Sequence, residues 1–426
     1  MTPRSIAFHH FGCKVNFAEA SSLSRQFRDK GYEILGFHEK ADIYVISTCI
    51  VTAVAEKKCR AAIRQAHRLN PGAKIAVIGC FPQLKPEELS KMEGVSLILG
   101  HSDKFSLLQA IEGTGSQEIP DLREVTGDGM FIPSFSFGDR TRSFLKIQDG
   151  CDYYCAYCTI PLARGHSRSD TIANVIRNVN EVASHGIREV VLSGVNIGDF
   201  GRHNGESLLE LIRELEKTED IPRFRLSSIE PDLLKDGIIE HIARSDRFMP
   251  HFHIPLQSGS DRVLKAMKRK YNRDLFLSRI LKIRSLLPYA CIAADVIAGF
   301  PGETDEDFAE TIEFIESLDI SYLHVFTYSR RDNTPAASMA GNVPEKTRKE
   351  RSDVLHELSG RKKELFYRKN KGRKVHVLFE SDSTGGFMHG FSGNYIRVKT
   401  PYDPGLVNRI REITLREMDK DLTFLV

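Results

Sequence analysis

Tryptophan is absent from the 426 residues, so stacking on a planar ligand or a nucleic-acid base falls to the 12 Tyr and 25 Phe, or to His and Arg. No apolar run approaches the roughly 18 residues that cross a bilayer, and the opening MTPRSIAFHHFGC lacks the apolar core of a secretory leader. A membrane partner is therefore not expected, and the expected compartment is the cytoplasm. Glycine (31) and proline (17) are too scarce for collagen-like or low-complexity bulk, while 41% hydrophobic and 27% charged residues describe a folded globular chain. At roughly 150 residues per domain this length predicts two or three domains. Net charge is only +3, yet residues 361–426 hold fourteen Lys and Arg against eight Asp and Glu. Basic charge is thus gathered at the C-terminal end, as a phosphate-binding surface or a solvated tail. Eight cysteines in a reducing compartment do not read as a disulfide framework, so their spacing is read as metal ligation or redox chemistry.

Apolar runs at 5–9, 42–47, 74–78 and 95–99 read as buried strands. Amphipathic stretches at 17–30, stopped by Gly31, and at 53–69, stopped by Asn70-Pro71-Gly72, read as the helices between them. That alternation predicts a parallel α/β sheet. Residues 113–140, rich in Gly, Pro, Ser and charge and without a period, read as a linker. Strands then recur at 143–147, 189–192, 224–227, 252–255, 292–297 and 322–326; six βα units over about 200 residues predict a partial (β/α)6 barrel rather than a closed eightfold one. The last helix of this series is specified by a Thr304 cap, Asp307 three residues on, and an apolar stripe of Phe308, Ile312, Ile315 and Leu318. A polar helix at 345–370 follows, and then short alternating strands at 374–379, 395–399 and 411–416 that read as a small β-barrel. The expected fold is α/β, divided into 1–115, a linker at 116–140, 141–366 and 367–426.

The spacing CxxxCxxC at Cys151, Cys155 and Cys158 is the most specific signal in the chain. Three thiolates can hold three irons of a cubane cluster and leave the fourth open to a chelating small molecule. Structural zinc normally takes four ligands and would need a further one, for which His166 is the nearby candidate; zinc and unligated thiols remain the alternatives. Cys13, Cys49 and Cys80 are far apart in sequence, but each falls at or just beyond the C-terminal end of an expected parallel strand, where open α/β sheets bind ligands. If those strands are neighbours, the three thiols converge on one crevice as a second metal site; otherwise they are small buried hydrophobes. His9 and His10 are possible additional ligands there, and Cys59 and Cys291 read as structural.

In the second region the strands end in SGVN (193–196), SSIEP (227–231), PLQSGS (255–260) and AGFPGET (298–304), the rim on which a barrel of this kind carries its ligand. Ser193, Glu230, Gln257, Ser258 and Asp295 are the candidate hydrogen-bonding residues, and Gly299 and Gly302 either let backbone approach a planar ligand or make a tight turn. Arg164, Arg168 and the run Lys268-Arg269-Lys270 are candidates for phosphate contact or for a solvated face. No catalytic acid or base is singled out.

These stretches resemble the radical S-adenosylmethionine (SAM) methylthiotransferases over essentially the whole chain. The resemblance is carried by FGCKVN (11–16), STCIVT (47–52), GCFPQ (79–83), GCDYYCAYCTIPLARG (150–165), HIPLQSGS (253–260) and VIAGFPGET (296–304). Phe81-Pro82 and Thr159 depart from the common pattern without removing a ligand. The resemblance implies two 4Fe-4S clusters. One, at Cys151, Cys155 and Cys158, binds and cleaves SAM within a radical SAM core; the other, at Cys13, Cys49 and Cys80, supplies sulfur from an N-terminal methylthiotransferase domain. The basic terminal barrel is similar to a TRAM domain, which binds RNA. KIQDGCDYYCAYC, RLSSIEP and HIPLQSGSDRVLKAMKRKY look most like the branch that methylthiolates threonylcarbamoyladenosine beside the tRNA anticodon. The implied partners are tRNA and an electron donor such as flavodoxin or ferredoxin, with no DNA. Alternatives are the branches acting on isopentenyladenosine or on a ribosomal-protein aspartate and, from another class, a zinc-stabilised RNA-binding protein without catalysis.

Overall fold

The computed structural model describes residues 4–50, 53–113, 130–138 and 140–426, so most of the expected linker lies outside the described residues. Near the N-terminus five parallel strands form one sheet in the order Glu33–Leu35, Ser5–His10, Ile43–Thr48, Lys74–Gly79, Val95–Leu99. Such apolar strands need cover on both faces, and every residue of Ile43–Thr48 is buried. Tyr44, Ile46, Ile75 and Val77 pack on one face with Ile63 and Ala66 of helix Ala53–Leu69. Ile6, Val45 and Ile78 pack on the other with Leu23 and Phe27 of helix Lys14–Asp29. The edge strand Glu33–Leu35 was not expected, because three residues are too few to show a period. Helix Lys14–Asp29 also starts earlier than its apolar pattern, directly after Cys13, which is its N-cap.

The central region has the six expected parallel strands: Ser143–Lys146, Glu189–Ser193, Arg223–Leu226, His251–His253, Cys291–Ala298 and Tyr322–Thr327. They form two three-strand ladders joined by the parallel bridges Phe224–Phe248 and Ser228–His253, a partial barrel. Ser134–Phe135, within the stretch expected as linker, is buried and adds an antiparallel edge to Ser143–Lys146. Outward residues such as Leu145, Val190, Leu192, Ile292, Ala294 and Val296 share one core with the surrounding helices. Strand alternation turns Phe144, Val191, His253, Asp295 and His324 to the lumen. Phe17 and Ala18 of helix Lys14–Asp29 close onto Phe144 and Val191, so the N-terminal helix lines the inside of the first barrel strands. The Thr304 cap is present with its full capping box, Thr304 Oγ1 accepting from the Asp307 amide at 3.2 Å while the Asp307 carboxylate accepts from the Thr304 amide at 2.8 Å.

Helix Glu345–Asn370 packs along Tyr322–Thr327, where the Ser359 hydroxyl accepts from the Leu323 amide at 2.9 Å. Beyond it lies a six-stranded sheet ordered Ile410–Thr414, Lys374–Thr384, Phe387–Ser392, Arg397–Pro401, Phe424–Leu425, Glu417–Met418. Its end strands do not pair with each other, so the expected small barrel is a curled, open sheet. Phe387–Ser392 went unrecognised because its glycines read as a turn. The sheet plugs the strand-start end of the barrel: Cys291 packs with Phe366, Tyr367, Val377 and Phe424. Arg223 donates to the carbonyls of His376 and Phe391, and Arg225 to those of Ser392 and Gly393. Among the described residues no helix is long and apolar enough to cross a membrane.

Candidate active site and cluster-binding loops

Cys13, Cys49 and Cys80 follow three adjacent parallel strands, so the sheet order brings their loops together. Cys49 and Cys80 are buried and Cys13 is exposed. Polar residues of the same motifs fix the loops. Asn16 Nδ2 donates to the Phe11 carbonyl at 3.0 Å and to the Thr48 carbonyl at 2.9 Å, tying the Cys13 loop to the strand that precedes Cys49. Thr48 Oγ1 donates to the Ile78 carbonyl at 2.8 Å and accepts from the Phe81 amide at 3.2 Å, tying that strand end to the Cys80 turn. Gly12, at φ +102°, lies so close to Cys49 that an added Cβ would come within 2.6 Å of the Cys49 Cβ. His9 stacks on Phe37 and His10 meets Phe17 edge-on, so both are held in aromatic contacts.

The second trio occupies one loop. Gly150 has φ +69°, and a Cβ there would fall 1.9 Å from the His166 carbonyl oxygen, so only glycine lets the chain enter it. The Cys151 amide donates to the Gly165 carbonyl at 3.1 Å and the Cys158 amide to the Cys155 carbonyl at 3.1 Å. Burial pushes the Cys151 and Cys158 thiols up to about 12 and raises Cys155 as well, so the three are neutral thiols unless a cation bound there converts them to thiolates. Arg269 Nη1 donates to Cys155 Sγ at 2.9 Å, a cation placed to balance an anionic group on the loop. His166 is engaged elsewhere, with Asp152 at 3.0 Å and the Tyr154 hydroxyl at 3.3 Å. The groups of three ligating side chains whose atoms lie within 4.8 Å of one another are His253/Asp295/His324, Glu19/His101/Asp149 and Asp152/Asp199/His203 among the described residues.

Around this loop the rim residues take different parts. Cys158, Tyr157, Thr159, Gln257, Asp295 and Phe326 line a cavity of about 230 Å³. Gln257 is held at φ +67°, its amide donating to the Asp295 carbonyl at 2.7 Å, and its buried Oε1 has no hydrogen-bond partner among the described residues. Asp295 Oδ1 accepts from His253 Nε2 at 2.6 Å. Glu230 pairs with Arg269 and is pushed up to about 7 by burial. Arg269, expected either as a phosphate contact or on a solvated face, is instead buried between Glu230 and Cys155. Ser193 Oγ turns back to the Val191 carbonyl at 3.1 Å, and Ser258 Oγ sits 3.3 Å from Thr311 Oγ1, away from the cavity lining. Gly299 and Gly302 make the turn before the capped helix: a Cβ on Gly299 would meet Arg348, and the Gly302 amide donates to the Gly341 carbonyl at 2.7 Å. A larger cavity of about 500 Å³ between the barrel and the C-terminal sheet is lined by no cysteine.

Arg164, with the same two expectations, is buried in an ionic cluster joining the two thiol-bearing regions. It reaches Asp149 Oδ1 at 2.8 Å, Glu19 Oε2 at 3.3 Å and Asn16 Oδ1. Glu19 also accepts from Lys104 at 2.6 Å and Lys146 at 2.8 Å, and Arg168 reaches Asp149 at 3.5 Å. These cations hold Glu19 and Asp149 well below the usual carboxylate range. The Arg164 charge also pulls against the burial that raises Cys80. The sequence showed Asn16, Thr48, Glu19 and Asp149 only as neighbours of cysteines.

Strand topology and the cysteine loop define a radical SAM enzyme, and the radical SAM superfamily model matches residues 145–315. Residues 5–100 match uncharacterized protein family UPF0004. Threonylcarbamoyladenosine tRNA methylthiotransferase MtaB of Bacillus subtilis is 36% identical over 423 residues, covering 96% of this chain and 93% of that one. MtaB of Aquifex aeolicus is 37% identical over 404 residues, 92% and 96% of the two chains. A tRNA-2-methylthio-N6-dimethylallyladenosine synthase of Alkaliphilus oremlandii is 33% identical over 388 residues, 88% and 81%. Among solved structures, the radical SAM methyltransferase TsrM of Kitasatospora setae shares the fold with a TM-score of 0.60 at 14% identity, covering 78% of this chain and 75% of that one. The chain belongs to the radical SAM methylthiotransferase family, and its Bacillus and Aquifex relatives carry the MtaB name. Membership implies SAM and a 4Fe-4S cluster, and the loop at Cys151, Cys155 and Cys158 fits that cluster.

Proposed function

We propose that this protein adds a methylthio group to carbon 2 of threonylcarbamoyladenosine beside the anticodon of tRNA. The observation that carries this reading is the pair of three-thiol loops, one on the barrel rim and one on the adjoining sheet, bound together by a buried ionic cluster in a chain that matches MtaB enzymes almost end to end. Cys151, Cys155 and Cys158 would hold the SAM-binding cluster, and Cys13, Cys49 and Cys80 a second 4Fe-4S cluster that supplies the sulfur. When bound, these groups provide one-electron cleavage of SAM and a transferable sulfur. The chain's own residues do the rest. Arg269 steadies the loop through Cys155, the unpartnered Gln257 Oε1 orients the ligand of the Cys158 cavity, and Asn16 and Thr48 hold the N-terminal loops in register. A small flavodoxin- or ferredoxin-like donor supplies electrons, and the basic C-terminal sheet contributes to tRNA binding.

Nucleoside mass spectrometry of host tRNA, with and without the gene, tests the reading. Loss of methylthio-threonylcarbamoyladenosine, restored only by a gene with all six cysteines, is expected. An unchanged level of that nucleoside overturns the substrate assignment. Anaerobic reconstitution is expected to give about eight irons, falling to about four when either trio is replaced by Ala.

A further inference from the structure

We propose that Lys14 is the specificity residue for an amino-acid carboxylate on the substrate base, with its ammonium supplying an ion pair that the chain itself leaves unmade. The inference rests on the threonylcarbamoyladenosine reading above and deepens it. Lys14 follows Cys13 and opens helix Lys14–Asp29, whose first turn holds no acidic residue. A cation is disfavoured there by the helix dipole, so the position is a poor one for stability. Lys14 stands three and four residues before Phe17 and Ala18, which close onto Phe144 and Val191, so it shares their barrel-facing side of the helix, and no carboxylate among the described residues pairs with it. The nearby carboxylates are already engaged: Glu189 with Arg225 at 3.0 Å, Glu380 with Arg142 at 2.9 Å, and Asp295 with His253 at 2.6 Å.

This part of the lumen is open. His324 is exposed although it projects inward from Tyr322–Thr327, its ring lies 4.9 Å from that of His253, and Asp295 fixes the His253 ring. Two residues along the same strand, Phe326 is 45% exposed and lines the Cys158 cavity. A base admitted here has an aromatic face to lie against, the His324 ring beside it, and beyond them one cation without a carboxylate partner among the described residues. His253, Asp295 and His324 have the spacing of a cation site, but a neighbouring ammonium opposes a cation and favours an anion. The threonylcarbamoyl arm carries a carboxylate, whereas a dimethylallyl arm carries no charge. A half-buried cation without a carboxylate partner therefore rejects the apolar arm more strongly than an apolar pocket rejects a polar one.

The test compares reconstituted enzyme on one tRNA in two forms, bearing threonylcarbamoyladenosine or the same nucleoside with its carboxylate capped as the methyl amide. Wild type is expected to favour the free carboxylate by about 100-fold in kcat/KM. Lys14→Met is expected to reduce that preference to a few-fold, and Lys14→Arg to keep most of it. Because the readout is a ratio of two substrates on one preparation, any loss of folded or loaded enzyme cancels. A Lys14→Met enzyme that keeps the full preference, or a wild type that uses both forms equally, overturns the role of Lys14 and leaves the function standing. A wild type inert on both forms but active on dimethylallyladenosine in tRNA overturns both.

Discussion

Replacing Arg164 by Met probes the joint between the two thiol-bearing regions. The side chain is 1% exposed and is shared among Asp149, Glu19 and Asn16, so the variant removes one charge from a site that water does not reach. Stranding a buried charge costs about 3–5 kcal/mol. Here neither carboxylate is stranded, because Glu19 keeps Lys104 and Lys146, and Asp149 keeps Lys146 and Arg168. The ionic loss therefore falls at about 2–3 kcal/mol, and the unpaired Asn16 oxygen adds about 1 kcal/mol. The same substitution removes a positive field from Cys80, so the thiol becomes harder to deprotonate and the N-terminal site holds iron less tightly. Chemical denaturation of the metal-free protein gives the first quantity. Iron content after anaerobic reconstitution, in a background with Cys151, Cys155 and Cys158 replaced by Ala, gives the second. An Arg164→Met protein with wild-type stability and a full complement of N-terminal iron refutes the reasoning.

Three further outcomes are expected. Gly150→Ala drives a Cβ into the His166 carbonyl, so iron falls to the content of the N-terminal site alone, and equal iron in variant and wild type shows the loop to be less constrained than its geometry states. Burial lowers His101 to about 3, so the folded protein keeps the ring neutral while the unfolded chain protonates below about 6.5; stability is lost as pH falls from 6.5 toward 3, by about 2 kcal/mol at pH 5. Unfolding followed at pH 5 and 7 reads this, and His101→Gln is expected to flatten the dependence. Replacing the exposed Arg397, Arg411 and Arg416 by Glu is expected to weaken tRNA binding and to lower the salt slope by roughly one for each arginine lost; unchanged affinity removes the C-terminal sheet from the interface.

Cysteine spacing and strand ends were legible in the sequence because both depend on local pattern. Cys13, Cys49 and Cys80 needed only the adjacency of three parallel strands, which the βα alternation implied. Partners fixed by tertiary contact were not legible. Arg164 and Arg269 read as surface cations, yet both are buried against carboxylates from distant segments. Ser258 read as a ligand contact, yet its hydroxyl meets Thr311, and the turn glycines answer to Arg348 and Gly341. The C-terminal strands were under-read because bulges and glycines blur a period of two, as at the shift between Phe379 and Ser383.

Helix Lys14–Asp29 belongs at once to the sheet that carries one thiol trio and to the wall of the barrel that carries the other. Swinging the two regions apart would strip Glu19 and Asp149 of the cations that neutralise them, so the molecule has no cheap hinge along that seam. Any relative motion of the two thiol-bearing regions therefore has to carry that buried cluster along intact.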